Sequence, residues 1–162
     1  RLLGFARHMD VTSETIDIAV LMKDVLGFLE KEAEYRNIEI RTFFDDNLPT
    51  IQSDKGQLQQ VLLNLVNNAF EALGKGGRVG ILAEQRESNS ITIVISDNGP
   101  GIPEEEVDHI FEPFFTTKRE GTGLGLSITY GIVRKLRGDI KVESKKNQGA
   151  SFIITLPLKR PL

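Results

Sequence analysis

Residues 91–126 constrain the fold more than any other stretch of the chain. Ile91-Thr92-Ile93-Val94-Ile95-Ser96 alternates with a period of two, which puts three isoleucines on one face of a strand. Asp97 falls at the end of that strand, and Asn98-Gly99-Pro100-Gly101-Ile102 breaks it. A polar loop follows, containing Phe111-Glu112-Pro113-Phe114-Phe115-Thr116-Thr117-Lys118. Gly121-Thr122-Gly123-Leu124-Gly125-Leu126 then leads directly into a helical pattern. A carboxylate at a strand end, a long loop and a glycine-rich helix entrance are the parts of a nucleotide site. The carboxylate can read a base, and the helix entrance can hold phosphates.

The rest of the chain supplies the frame. Glu14–Ile18 alternates as a short strand, and Ala19–Arg36 reads as an amphipathic helix with Leu21, Val25, Phe28, Leu29 and Ala33 inward. Residues 38–43 alternate as a strand, and Ile51-Gln52 forms a brief one. Ser53 or Asp54 is a suitable N-cap for a helix reaching Leu73, whose buried stripe is Leu58, Val61, Leu62, Leu65, Ala69, Ala72 and Leu73. Strands are predicted over 78–86, 91–96, 139–144 and 151–156, with a short helix after Pro103 and a third long helix over Ser127–Leu136. Mixed strands and three main helices on one face predict an α+β fold, a two-layer α/β sandwich around a sheet of about five strands. Residues 1–13 read as a helix tail and linker, and 14–162 as one domain. The abrupt helical start at Arg1 suggests a piece excised from a longer chain.

Composition narrows the function classes. Apolar content of 40% and charged content of 27% are ordinary for a globular domain. A net charge of −3 advertises no nucleic-acid or anionic-membrane surface. The absence of cysteine excludes disulfides, thiolate metal sites and thiol catalysis, and no apolar run approaches a membrane span. His8 and His109 lack any partner spacing for a metal site and read as surface residues.

Three groups of residues could carry chemistry. Asn64, Asn67 and Asn68 stand in mid-helix, where asparagine is unfavourable by roughly half a kcal/mol against alanine. Asn64, Asn68 and Glu71 share one face at i, i+4, i+7, and their oxygens suit a hard cation such as magnesium. The alternative is a solvated helix face. Asp97 can accept a hydrogen bond from the exocyclic amine of adenine, whereas guanine would oppose it with a carbonyl oxygen. Gly99 and Gly101 permit close backbone approach, Gly101 with a positive φ; an ordinary turn is the other reading. The glycines at 121, 123 and 125 expose amides at a helix N-terminus, with Lys118 nearby in sequence, or else form a plain hinge. No strand precedes them and no Gly-Lys-Ser/Thr follows, so neither a dinucleotide fingerprint nor a P-loop is present. Phe111 reads as packing.

Together these segments resemble the catalytic and ATP-binding domain of sensor histidine kinases, within the superfamily that includes DNA gyrase, the Hsp90 chaperones and the MutL repair proteins. The similarity covers about residues 14–157. NLVNNAFEA (64–72) resembles the N box, DNGPGI (97–102) the first glycine box, FEPFFTTK (111–118) the F box and GTGLGL (121–126) the second glycine box. The F-box wording and Glu71-Ala72 are similar to nitrogen-regulator-type kinases.

The resemblance implies a Bergerat-type ATP-binding fold with ATP and Mg2+ as cofactors. It makes Asn68 the magnesium ligand and Asn64 a supporting, water-ordering residue, the two forming the catalytic pair. Asp97 would bind the adenine amine, and Gly99, Gly101 and Ile102 would line the base pocket. Lys118 with Gly121, Thr122, Gly123, Leu124, Gly125 and Leu126 would enclose the triphosphate. Two departures stand out: Glu71-Ala72 stands where many members have lysine followed by tyrosine or phenylalanine, so no phosphate-contacting lysine comes from that helix, and Ala150 replaces a common threonine that would support a water-mediated adenine contact.

The partners implied are the dimerising phosphoacceptor hairpin of a parent kinase and, through the parent, a response regulator. No nucleic acid or direct membrane contact is implied. The setting would be cytoplasmic, on a parent that can be membrane-anchored. Residues 1–10 are then the end of the hairpin's second helix, and His8 does not match an acceptor motif. The competing reading, an autonomous ATPase of the gyrase, chaperone or repair type, expects a glutamate general base where Asn64 stands. A non-catalytic nucleotide sensor would not need all the parts together.

Overall fold

The computed structural model describes residues 12–113, 115 and 125–159. Two of its helices start at aspartates that cap them. Asp17 accepts from the Val20 amide and opens α1 (Ile18–Arg36). Asp54 opens α2 (Lys55–Leu73) by accepting from the Gln57 amide at 3.0 Å, and it also takes the Thr12 amide at 2.9 Å. Of the two candidate caps, Asp54 therefore does the work, one residue beyond Ser53. Asn37 ends α1 in the left-handed region with φ of 56°, a conformation asparagine tolerates better than most residues. The end of α2 is satisfied from outside, because the Arg36 guanidinium donates to the carbonyls of Phe70 and Gly74.

The strands are β1 (Glu14–Ile16), β2 (Glu39–Phe44), β3 (Ile51–Ser53), β4 (Arg78–Glu84), β5 (Ser90–Asp97), β6 (Asp139–Ser144) and β7 (Ala150–Pro157). A short helix α3 (Glu104–Val107) and a longer helix α4 (Gly125–Lys135) lie between β5 and β6. β1 and β3 form a small antiparallel pair, while the main sheet has the order β2-β4-β5-β7-β6. Only the β2–β4 pairing is parallel, so the sheet is mixed. Ile81, Ile95, Phe152 and Val142 are successive Cα partners across it, and the first three are fully or nearly fully buried. That row, with Ile91, Ile93 and Ile154, meets the inward stripes of the helices, including Leu58, Val61, Leu62 and Leu65 of α2. The expected two-layer α+β sandwich is what forms.

Three residues are placed differently from the expectation. Phe28, expected inward, is 68% exposed. The buried stripe of α1 runs through Ile18, Leu21, Met22, Val25, Leu29 and Ala33, and at 100° per residue Phe28 falls off its edge. Conversely, Val66 and Phe70 join the core of α2, widening its apolar face beyond the predicted stripe. Among the described residues no helix is long and apolar enough to cross a membrane.

Candidate functional site

β5 ends at Asp97, in the middle of the sheet, where its neighbours β4 and β7 still pair. The Asp97 Oδ1 accepts the Gly99 amide at 2.9 Å, closing a tight turn, and the carboxylate also takes a backbone hydrogen bond from Ala150. Burial pushes its carboxyl up from the ordinary carboxylate value, and the two amides only partly offset this. Ala150 thus contributes through its main chain, although it lacks the threonine hydroxyl.

The turn after Asp97 is clasped by the β6–β7 turn. Asn147 donates its amide to the Pro100 carbonyl at 2.7 Å. The Ser144 hydroxyl accepts the Ile102 amide at 2.7 Å and donates to the Gly149 carbonyl at 3.0 Å. Two glycines make the clasp possible. Gly101 has φ of 79°, and a Cβ there would overlap the Lys145 carbonyl; Gly149 has φ of 81°, and a Cβ there would overlap the Asp97 carbonyl. Ile102 is half-buried and packs against the core. On the other side Leu73 and the Ala72 carbonyl of α2 approach Gly99.

α2 carries the site to its other end. Asn64 lies two turns before Ala72, and its Nδ2 donates to Thr129 Oγ1 of α4 at 3.2 Å. Asn64 Oδ1 accepts from Gln60 at 2.8 Å. Asn68, half-buried, sits one turn from each end, between the glycine turn at Asp97 and the start of α4. Gly125 opens α4, exposed and with open space around its Cα, while Leu126 packs partly into the core. The structure therefore brings together Asp97, Gly99, Gly101 and Ile102 at one end, Gly125 and Leu126 at the other, and Asn64 and Asn68 along the helix between them. Lys118, Gly121, Thr122, Gly123 and Leu124, like Phe114, lie outside the described residues.

Among the described residues no cluster of three or more His, Cys, Asp or Glu could hold a metal. Asn68, half-buried on α2, carries an amide oxygen, a hard donor of the type that suits magnesium. Phe111 packs as expected, its ring 5.3 Å from Tyr130 and 6.3 Å from Phe152. His109 is a surface residue paired with Glu112 at 2.9 Å, which raises its pKa, and has no part in the site.

Residues 53–160 match the model of the "Histidine kinase-, DNA gyrase B-, and HSP90-like ATPase" family. The chain belongs to this family. Its relatives include the sensor histidine kinase ZraS of Escherichia coli strain K12, 37% identical over 97% of this chain and 34% of that protein. Sporulation kinase A of Bacillus subtilis strain 168 is 38% identical over 94% of this chain and 25% of its own length. The chain spans about a third or less of these relatives. Among solved structures, the catalytic domain of histidine kinase ThkA superposes with a TM-score of 0.84 at 35% identity, covering 91% of this chain and 97% of that domain. Full-length ShkA in complex with AMPPNP gives 0.85 at 30% identity, over 94% of this chain and 32% of ShkA. ThkA in complex with the response regulator protein TrrA gives 0.81 at 30% identity, over 97% and 45%. The fold is that of an ATP-binding catalytic domain of sensor histidine kinases.

Four residues of the site escaped the sequence reading. Thr129 had a signal, a polar residue in helical phase with Leu126, Val133 and Leu136. Ser144, Asn147 and Gly149 had only the turn composition of Asn147-Gln148-Gly149, which marks a hairpin but not what it closes upon.

Proposed function

We propose that this chain transfers the γ-phosphoryl group of Mg-ATP to a histidine on the dimerising helical hairpin of its parent kinase. The observation that supports this reading best is the single face of α2 that spans the site. It runs from the Gly99 turn beside Asp97, past Asn68, to the Asn64–Thr129 contact at the start of α4. Asp97 would accept the adenine amine, with Gly99, Gly101 and Ile102 beside the ring. Asn68 would supply the amide oxygen for magnesium, which when bound neutralises phosphate charge. The amides of the second glycine box, with Lys118, would hold the phosphates against the positive end of α4.

Phosphoryl transfer demands little covalent chemistry from the protein, so positioning and charge neutralisation carry the rate. An amide at Asn64 cannot take a proton from water, which disfavours the autonomous ATPase. ShkA was solved with AMPPNP and ThkA with a response regulator; by analogy this chain's nucleotide is ATP, and its parent hands the phosphoryl group to a response regulator. Residues 1–13 would be the tail of the parent's hairpin and its linker, and the setting cytoplasmic.

Incubation with γ-labelled ATP tests the assignment. The chain alone is expected to stay unlabelled and to release phosphate very slowly, while a supplied hairpin domain of the parent becomes labelled. Rapid phosphate release by the chain alone would move the function to the ATPase class.

A further inference from the structure

Thr129 is a polar residue with no exposure at all, held between α2 and α4. Its hydroxyl donates to the Gly125 carbonyl at 2.9 Å, one turn back along α4. A threonine hydroxyl has a single proton, so toward Asn64 it can only accept. Asn64 must then present its NH2 group to Thr129, and it does so at 3.2 Å. The amide oxygen is thereby turned to the other side, where it takes the Gln60 amide at 2.8 Å at the exposed end of the bridge. The chain of hydrogen bonds from Gln60 through Asn64 and Thr129 to Gly125 has one consistent polarity, and Thr129 sets it.

Packing does not demand this hydroxyl. Valine has nearly the same shape, and replacing buried polar groups by apolar ones of equal shape is often close to neutral in stability. Nor does Thr129 need Asn64 for satisfaction, since the Gly125 carbonyl already takes its proton. The contact to Asn64 instead decides which atom of that amide faces the open side of α2, and it joins the asparagine-bearing helix to the first residue of α4.

We propose that Thr129 is a positioning residue for the phosphate end of the site. It acts through Asn64, fixing the orientation of the amide and the distance between α2 and the start of α4 at Gly125. This inference rests on the nucleotide reading above. It requires the hydroxyl to affect recognition of the γ-phosphate and to leave the base pocket at Asp97 untouched.

Calorimetric titrations with ADP and with AMPPNP, both with magnesium, separate the two ends. Thr129→Val is expected to keep ADP affinity within about twofold and to lower the preference for AMPPNP over ADP by about fivefold, the worth of one hydrogen bond. Thr129→Ser, which keeps the hydroxyl, should restore the preference. In a double-mutant cycle, adding Thr129→Val to Asn64→Ala should cause no further loss. An unchanged preference in Thr129→Val, or effects of the two substitutions that multiply, would overturn the inference. Loss of ADP binding in both Thr129→Val and Thr129→Ala, with Thr129→Ser intact, would also overturn it by making the hydroxyl structural. A wild-type chain that binds neither nucleotide would instead strike the nucleotide reading itself.

Discussion

The two ends of the site are built in different ways. Around Asp97 the structure is main chain against main chain. The Gly99 turn, the Asn147–Pro100 hydrogen bond and the approach of Gly149 to the Asp97 carbonyl leave no room for a Cβ. At the far end the link is made by side chains, Asn64 of α2 meeting Thr129 of α4, with open space around Gly125. A cradle of backbone has one shape, which would suit the flat, rigid base proposed to bind there. A bridge of an amide and a hydroxyl can be broken and remade at the cost of about one hydrogen bond, which would suit the proposed role of this end in admitting and releasing phosphates.

The sharpest way to break this comparison is at Gly149. Gly149→Ala forces a Cβ into the Asp97 carbonyl at φ of 81°, and should lower stability by roughly 3–5 kcal/mol through strain and overlap. Urea unfolding would show it; a midpoint within error of the wild type would mean the clasp is pliable and the rigid-cradle view wrong. Next comes Asp97→Ala, which should weaken ADP binding by about 1.5–3 kcal/mol, more than tenfold, and abolish discrimination against GDP. Equal affinity of the wild type for ADP and GDP would remove Asp97 from base reading.

Asn64→Ala tests the softer end. It deletes one half-exposed bridge and should cost only about 0.5–1.5 kcal/mol in thermal or urea unfolding. A loss as large as that of Gly149→Ala would erase the distinction between the two ends.

The smallest effect is in pH dependence, where Asp97 and Asp54 oppose each other. The Asp97 carboxyl is raised by burial, so the folded chain holds that proton more tightly than the unfolded one. Its contribution to stability is present below the ordinary value of 3.8 and is lost as pH rises through the raised folded value. For Asp54, burial is outweighed by hydrogen bonds from Gln57 and Thr12, so its carboxyl is lowered. Its contribution is present above 3.8 and is lost as pH falls through the lowered value. Just above 3.8, Asp97→Asn should therefore flatten a decline of stability with rising pH, and Asp54→Asn should flatten a decline with falling pH at the acid end. Identical stability profiles for wild type and Asp97→Asn would show that Asp97 is not held in a buried setting.

The sequence by itself determined the elements and the local geometry of the turn at Asp97. Alternation in 91–96 fixed a strand with Ile91, Ile93 and Ile95 inward, because side-chain direction in a strand depends only on parity. Asp97 at its end and the glycines at 99 and 101 were legible for the same reason: local backbone needs local residues. The stripe of asparagines on α2 was legible from the 3.6-residue period. Tertiary structure alone decided what closes upon these residues. Gly149 lies 52 positions from Asp97 in the chain, and Thr129 lies 65 from Asn64; neither pairing leaves a local periodicity to read. The width of the apolar face on α2, taking in Val66 and Phe70, and the exposure of Phe28 were likewise set by which helices and strands pack around them. Contacts between distant segments depend on strand order and helix packing, which are properties of the assembled sheet and its helices and not of any one stretch of sequence.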